Sequence, residues 1–416
     1  MNSNMPEDKG FDQTLNVLKE GYDFVMSRNK ALGSDVFETR ILGEKTICLT
    51  GSRAAELFYD HTRFRRSDAA PKRVEKTLFG EGGVQGLDGE AHRHRKAMFM
   101  GLMGPDEMTE IGNMTKKYWK EYFEKRDPDE PVELYEAAKI VFLNVACEWA
   151  GVSLLGEDVE ARAAEISDLY ESPAALGLQH WRGRRSRSKA EDWIGGIVKD
   201  VRAGKIEADS GRALYQFAWH RDLAGELLDE DIVTVELLNL VRPMNANSVW
   251  VAMIGLALNE HQAEARKLKD ADSEQMEWFI QEVRRYYPFF PFAVARVDMD
   301  FEWEGYTFKE GTLTLLDLYG TNRHPDDWVD PEVFMPERFD GWQQTPFNFV
   351  PQGGGSYDFG HRCAGEFITI VMIRETLNFL VNDLTFEFPP QDFGFEFNDI
   401  PAVPNDKIRI ENFMLK

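Results

Sequence analysis

Apolar positions recur with helical spacing along most of this chain and alternate with polar ones in only a few short runs. Helical patterns cover 11–30, 52–59, 91–103, 106–125, 132–150, 157–170 and 188–203, with a longer one over 229–259. That longest pattern opens on Asp229-Glu-Asp231, acidic residues suited to a helix start. At 1.5 Å per residue it spans roughly 45 Å, enough to cross a domain. A strongly apolar helical run over 367–384 closes the series. Alternation over 36–42 and 46–50 predicts a hairpin turning at Gly43-Glu-Lys45. Short strands are expected over 293–304, 312–318, 386–388 and 408–413. The pattern therefore predicts a mainly α fold with a small sheet region.

Composition narrows the partners. The chain has 416 residues, of which 43% are hydrophobic, ample for a large core. With no linker, repeat or low-complexity tract to divide it, residues 1–416 are expected to form one domain. Acidic residues number 72 against 48 basic, a net charge of -24, which argues against nucleic acid or anionic membrane as partners. The basic run Arg182-Gly-Arg-Arg-Ser-Arg187 is read as a solvated connection between helices. There is no signal-peptide pattern and no run of about 18 apolar residues. A cytoplasmic protein without a membrane anchor is expected. Cys48 and Cys147 fall in apolar patterns and read as small buried hydrophobes, with no disulfide framework.

The third cysteine is different. Cys363 lies in Pro351-Gln-Gly-Gly-Gly-Ser-Tyr-Asp-Phe-Gly-His-Arg-Cys-Ala-Gly-Glu366, a glycine-rich stretch leading into the apolar run. His361 and Arg362 precede the sulfur, and the following helix directs its N-terminal amides toward it, surroundings expected to favour a thiolate. A lone thiolate held this way suits an axial ligand to haem iron.

Three motifs extend that reading. Glu282-Val-Arg-Arg285, Phe334-Met-Pro-Glu-Arg-Phe339 and Cys363-Ala-Gly365 resemble, in order and separation, the signature motifs of the cytochrome P-450 superfamily. The resemblance covers essentially the whole chain. It implies the superfamily fold, a triangular mainly-α prism with a smaller β lobe, and haem b held by the Cys363 thiolate. It also implies a buried triad of Glu282, Arg285 and Arg338 on the cofactor's proximal side, structural because buried charges are costly unless paired.

Two departures narrow the resemblance. Where oxygen-activating members carry an acid–alcohol pair mid-helix, this chain has Arg242-Pro243. Proline costs a helix interior about 3 kcal/mol, and a buried arginine is expensive without an anion, so a function is expected there. A guanidinium gripping a substrate carboxylate fits. The cysteine loop also departs, with Gln352 eleven residues before Cys363 in place of the usual aromatic seven before it. Both departures resemble the bacterial fatty-acid peroxygenases, as do Gly80-Glu-Gly-Gly-Val-Gln-Gly-Leu-Asp-Gly89 and Arg284-Arg-Tyr-Tyr-Pro-Phe-Phe-Pro-Phe292.

That resemblance implies hydroxylation of long-chain fatty acids at the α or β carbon by hydrogen peroxide, with no obligatory redox partner. Arg242 and Pro243 would frame the carboxylate, which supplies the missing acid–base group. Gln85 would favour hydroxylation, since decarboxylating relatives tend to carry His there, leaving terminal alkenes minor. Phe79, Phe289 and Phe292 would line the substrate channel. Arg66, His92, Lys96, Arg285 and His361 would hold the cofactor. The same cofactor would also serve a conventional monooxygenase using oxygen and NAD(P)H, a hydroperoxide isomerase, or a non-catalytic lipid or gas sensor. The isomerase needs no carboxylate clamp, and a sensor needs an output module, none of which is evident in the chain.

Overall fold

A computed structural model describes residues 5–175 and 177–416. Helices dominate, and the expected mainly α class is met. The largest core cluster forms around the apolar helix Leu134–Ala150, which packs against the helices Pro105–Glu124, Glu230–Ala246 and Ser248–Glu260. Trp119 is fully buried there, stacked on Phe123 and Phe379 and donating from its indole to Thr376 at 2.8 Å.

A five-stranded sheet forms the smaller β region, in the order Val36–Ile41, Glu44–Leu49, Leu313–Asp317, Phe292–Val297, Phe64–Arg65. Only the pairing of Glu44–Leu49 with Leu313–Asp317 is parallel. The first hairpin turns through Leu42 and Gly43, both at positive φ, one residue earlier than expected. That is the backbone of a tight two-residue hairpin turn.

Several predicted elements are redrawn by contacts far along the chain. The 11–30 pattern breaks into Thr14–Glu20 and Asp23–Leu32 at Gly21. Gly21 has φ +53, and a Cβ there would sit 1.8 Å from the Phe397 carbonyl oxygen, so only glycine fits. The basic run is not a connection. It lies inside the helix Leu178–Arg202, and Arg187 is buried. The 229–259 pattern is two helices, Glu230–Ala246 and Ser248–Glu260, interrupted at Asn247 rather than at Pro243. The Asn247 side chain is engaged by the Thr369 hydroxyl, which donates to its Oδ1 at 2.9 Å, and by the Met372 sulfur at 3.5 Å.

The helix Ser273–Tyr286 starts with a capping box, Asp272 and Gln275 satisfying each other's backbone N–H groups. It delivers the charge triad. Arg285 and Glu282 pair at 2.7 Å with both side chains fully buried, and Arg338 reaches the same carboxylate at 3.1 Å. Arg285 also donates to the carbonyls of Asn322, Pro331 and Val333.

Asp317 ends its strand, caps the short helix Leu318–Thr321 and accepts from Gly320 N at 2.8 Å. Burial pushes its carboxyl up to about 7, the Gly320 N–H and Thr50 hydroxyl only partly offsetting this. The folded chain therefore holds a proton where the unfolded chain, near its ordinary 3.8, has released it. Stability contributed by this site falls as pH rises from about 4 to about 7. Asp317→Asn keeps the shape and cannot ionise. It is expected to gain on the order of a few kcal/mol over wild type at pH 8 and little at pH 4. Thermal midpoints at the two pH values check this, and an equal difference at both would contradict it.

Candidate functional site

The cysteine loop is built on backbone that only glycine adopts easily. Gly353 and Gly355 have φ of +90 and +82, and Cβ atoms on them would meet the Tyr59 side chain at 3.1 Å. Tyr357 donates to the Ala364 carbonyl at 2.8 Å, and Lys96 to the carbonyls of Arg362, also at 2.8 Å, and Gly360. These contacts present Cys363 to one large cavity, partly exposed and just before the helix Glu366–Asn378. Burial raises its thiol above the ordinary range and Glu366 adds to that, while the Gly365 N–H, Lys96 and Arg284 pull it down. The two preceding basic residues do not serve the sulfur as expected. Arg362 pairs with Glu366 at 2.5 Å, and His361 turns toward Asp88 at 3.8 Å.

The cavity, about 450 Å³, brings together Arg66, Phe79, Gln85, His92, Lys96, Arg242, Pro243, Phe289, Phe292, His361 and Cys363. These come from six separate stretches of sequence. Phe79 closes a π-helical turn, Glu75–Phe79, and Gln85 lies in the 3-10 turn Val84–Gly86. Phe289 is largely core, stacked on Trp250 at 4.5 Å, and Phe292 begins its strand with more of its surface open.

Arg242 is the unusual group. It is 5% exposed, and its only hydrogen bond among the described residues runs from Nη2 to Asn239 Oδ1 at 3.2 Å. Its Nε has no partner, and no carboxylate among the described residues pairs with it. Burial, then Arg187, lower it to about 9, so it stays charged at neutral pH. Asn239 in turn donates to Glu236 at 3.0 Å and to Gln85 at 3.3 Å, and Glu236 pairs with Arg95 at 2.9 Å. Glu236, Asn239 and Arg242 recur every third residue in an apolar helix, a polar stripe whose spacing is legible in the sequence.

Arg66, His92, Lys96 and His361 gather on another part of the wall. His92 and His361 stack at 3.9 Å, and burial holds them down to about 4 and about 3, so both are neutral donors rather than cations. Burial lowers Arg66 to about 10 and Lys96 to about 8. Arg285 is the exception to the expected set, because it does not line the cavity and its donors are committed to Glu282 and three carbonyls. Its neighbour Arg284 is the one directed at the cysteine loop, meeting Gln352 at 2.9 Å and Glu366 at 2.8 Å.

Residues 258–404 match the family model described as Cytochrome P450. The chain is 46% identical to cytochrome P450EX alpha (CYP152N1), solved with myristic acid, with a TM-score of 0.94 and full coverage of both chains. This chain is a cytochrome P450. Cytochrome P450 OleT, solved as a variant with arachidonic acid, is 33% identical with a TM-score of 0.96, covering 100% of this chain and 99% of that one. More distantly, the taxane 10-beta-hydroxylase of Taxus cuspidata is 24% identical over 92% of this chain and 80% of its own length. No helix among the described residues is long and apolar enough to cross a membrane.

Membership in the cytochrome P450 family implies haem with cysteine thiolate ligation, and the residues present fit that group. Cys363 offers its sulfur to the cavity, and the guanidinium of buried Arg66 pairs with no carboxylate among the described residues, its backbone N–H alone reaching Asp88. Arg66, with the N–H groups of His92 and His361, would suit the anionic propionate edge. In this cytochrome P450, Cys363→Ala should abolish the absorption band that marks thiolate ligation in the reduced carbon monoxide complex. Retention of the band would refute the assignment.

Proposed function

We propose that this cytochrome P450 is a fatty-acid peroxygenase, hydroxylating the α or β carbon with hydrogen peroxide in the cytoplasm and without an obligatory redox partner. The observation that carries the reading is Arg242, a buried guanidinium facing the same cavity as Cys363 and lacking a counter-charge among the described residues. A cation desolvated in this way is stable only with an anion beside it. A fatty-acid carboxylate supplies one, and its alkyl tail suits the apolar wall of Phe79, Leu240, Phe289 and Phe292. The fatty acids bound to the two similar solved structures support the same class of ligand.

Haem b, when bound through Cys363, would supply the oxidising chemistry, the thiolate favouring O–O cleavage. Arg242 holds the carboxylate by charge-assisted contacts from its free donors. Asn239 steadies the guanidinium through its side-chain oxygen, and its own amide N–H donates to Gln85 Oε1. Pro243 lines the cavity next to Arg242 and places no N–H donor there. The carboxylate so held would serve as the acid–base group, taking one proton from hydrogen peroxide and giving it to the departing oxygen, which would leave as water. Peroxide brings both the oxygen atom and the oxidising equivalents, so no NAD(P)H is consumed. Fixing the carboxylate at Arg242, in the cavity that Cys363 also lines, would leave the α and β carbons nearest a haem held there, and regiochemistry would follow from proximity.

Arg242→Ala should lose about 100-fold or more of peroxide-driven hydroxylation of myristic acid, the usual worth of a positioned acid–base group, while keeping haem and its thiolate band. Arg242→Lys keeps charge without the fork and should fall between. Initial rates with peroxide and no reductase measure both. Product found only with NAD(P)H and a reductase would overturn the peroxygenase reading, and full activity of Arg242→Ala would overturn the clamp.

Gln85 does not titrate, whereas a histidine could exchange a proton near the carboxylate. The main products should therefore be 2- and 3-hydroxy acids. Chromatography of the products checks this, and a dominant terminal alkene from wild type would contradict the role given to Gln85.

A further inference from the structure

We propose that Gln352 is a positioning residue for the Cys363 sulfur, its amide N–H limiting how much electron density the thiolate gives to iron. The proposal rests on the reading of Cys363 as the haem ligand, with Sγ of the structure standing for the ligating thiolate. Gln352 belongs to the glycine-rich departure in the cysteine loop, which the carboxylate clamp leaves without a role.

The geometry fixes which end of the amide faces the sulfur. Gln352 Oε1 accepts from Arg284 Nη2 at 2.9 Å, and a guanidinium only donates, so the oxygen must lie on that side. Its Nε2 then faces Thr369 Oγ1 at 3.1 Å and Cys363 Sγ at 4.0 Å. The Thr369 hydroxyl spends its own hydrogen on Asn247 Oδ1 at 2.9 Å, so it accepts from Gln352. One amide hydrogen goes to Thr369, leaving the second for the sulfur.

Arg284 is itself immobilised. Its side chain is fully buried, paired with Glu366 at 2.8 Å and donating to Gln281 at 2.5 Å. Its charge draws density from the amide oxygen and strengthens the N–H as a donor. Glu366, one helical turn from the cysteine, would oppose a thiolate, and Arg284 and Arg362 offset its charge from two sides. A donor on a ligating sulfur reduces its donation to iron and raises the iron(III)/iron(II) potential.

The test compares haem-loaded wild type, Gln352→Leu and Gln352→Glu by potentiometric titration and by the reduced carbon monoxide spectrum. Both substitutions remove the donor. Both should shift the potential to more negative values and the carbon monoxide band to longer wavelength, with thiolate ligation kept. A purely structural role would leave the potential of the uncharged Gln352→Leu at the wild-type value; Gln352→Glu fills the same space and keeps an oxygen on Arg284, and its added charge should lower the potential further. Wild-type potentials in both variants, with the thiolate band present, would overturn the proposal and leave Cys363 ligation standing. A wild-type protein without the thiolate band would overturn both.

Discussion

A guanidinium buried without a counter-ion is the constraint around which this site is arranged. Arg242 is held away from solvent, buried on a helix that packs against Leu134–Ala150, Val159–Glu171 and Leu178–Arg202. It keeps its charge, and its one protein partner among the described residues is a neutral amide oxygen. The neighbouring carboxylate, Glu236, is engaged by Arg95 and by the nitrogen of the same amide. The helix thus carries a stripe whose negative charge is used up at one end and whose positive charge is left available at the other. Selectivity for acids is what that asymmetry would give under the proposed function.

Much of this was legible in the chain. Cys363 and Arg242 stood out because each breaks the local pattern, a thiol in a glycine loop and a charge with a proline inside an apolar helix, whereas Gln85 was reached only through the family resemblance. The structure brings all three to one cavity. Long amphipathic patterns such as Pro105–Glu124 were also plain, because burial on one helical face leaves a period in the sequence.

What stayed hidden depended on tertiary contact. Gly21 ends a helix because Phe397 leaves no room for a side chain, and no local signal announces a carbonyl from the far end of the chain. Arg187 looked solvated within a basic run, yet it is the arginine of that run that is buried, with Glu191 and the Leu78 carbonyl receiving it. Arg284 and Arg285 are adjacent, and a helix sends adjacent residues in directions about 100° apart. One completes the triad and the other reaches the cysteine loop, a division that the motif alone does not disclose.

The bond between Thr369 and Asn247 carries a mechanical consequence. It joins the helix that follows the cysteine to the break between the two central helices, and all four of Ala246, Asn247, Ile368 and Thr369 line the cavity. The wall that carries the sulfur is therefore tied to the wall that carries Arg242 by a protein hydrogen bond. A slot set in advance spends little of its binding energy on closing, and it passes over molecules of the wrong thickness before any chemistry begins.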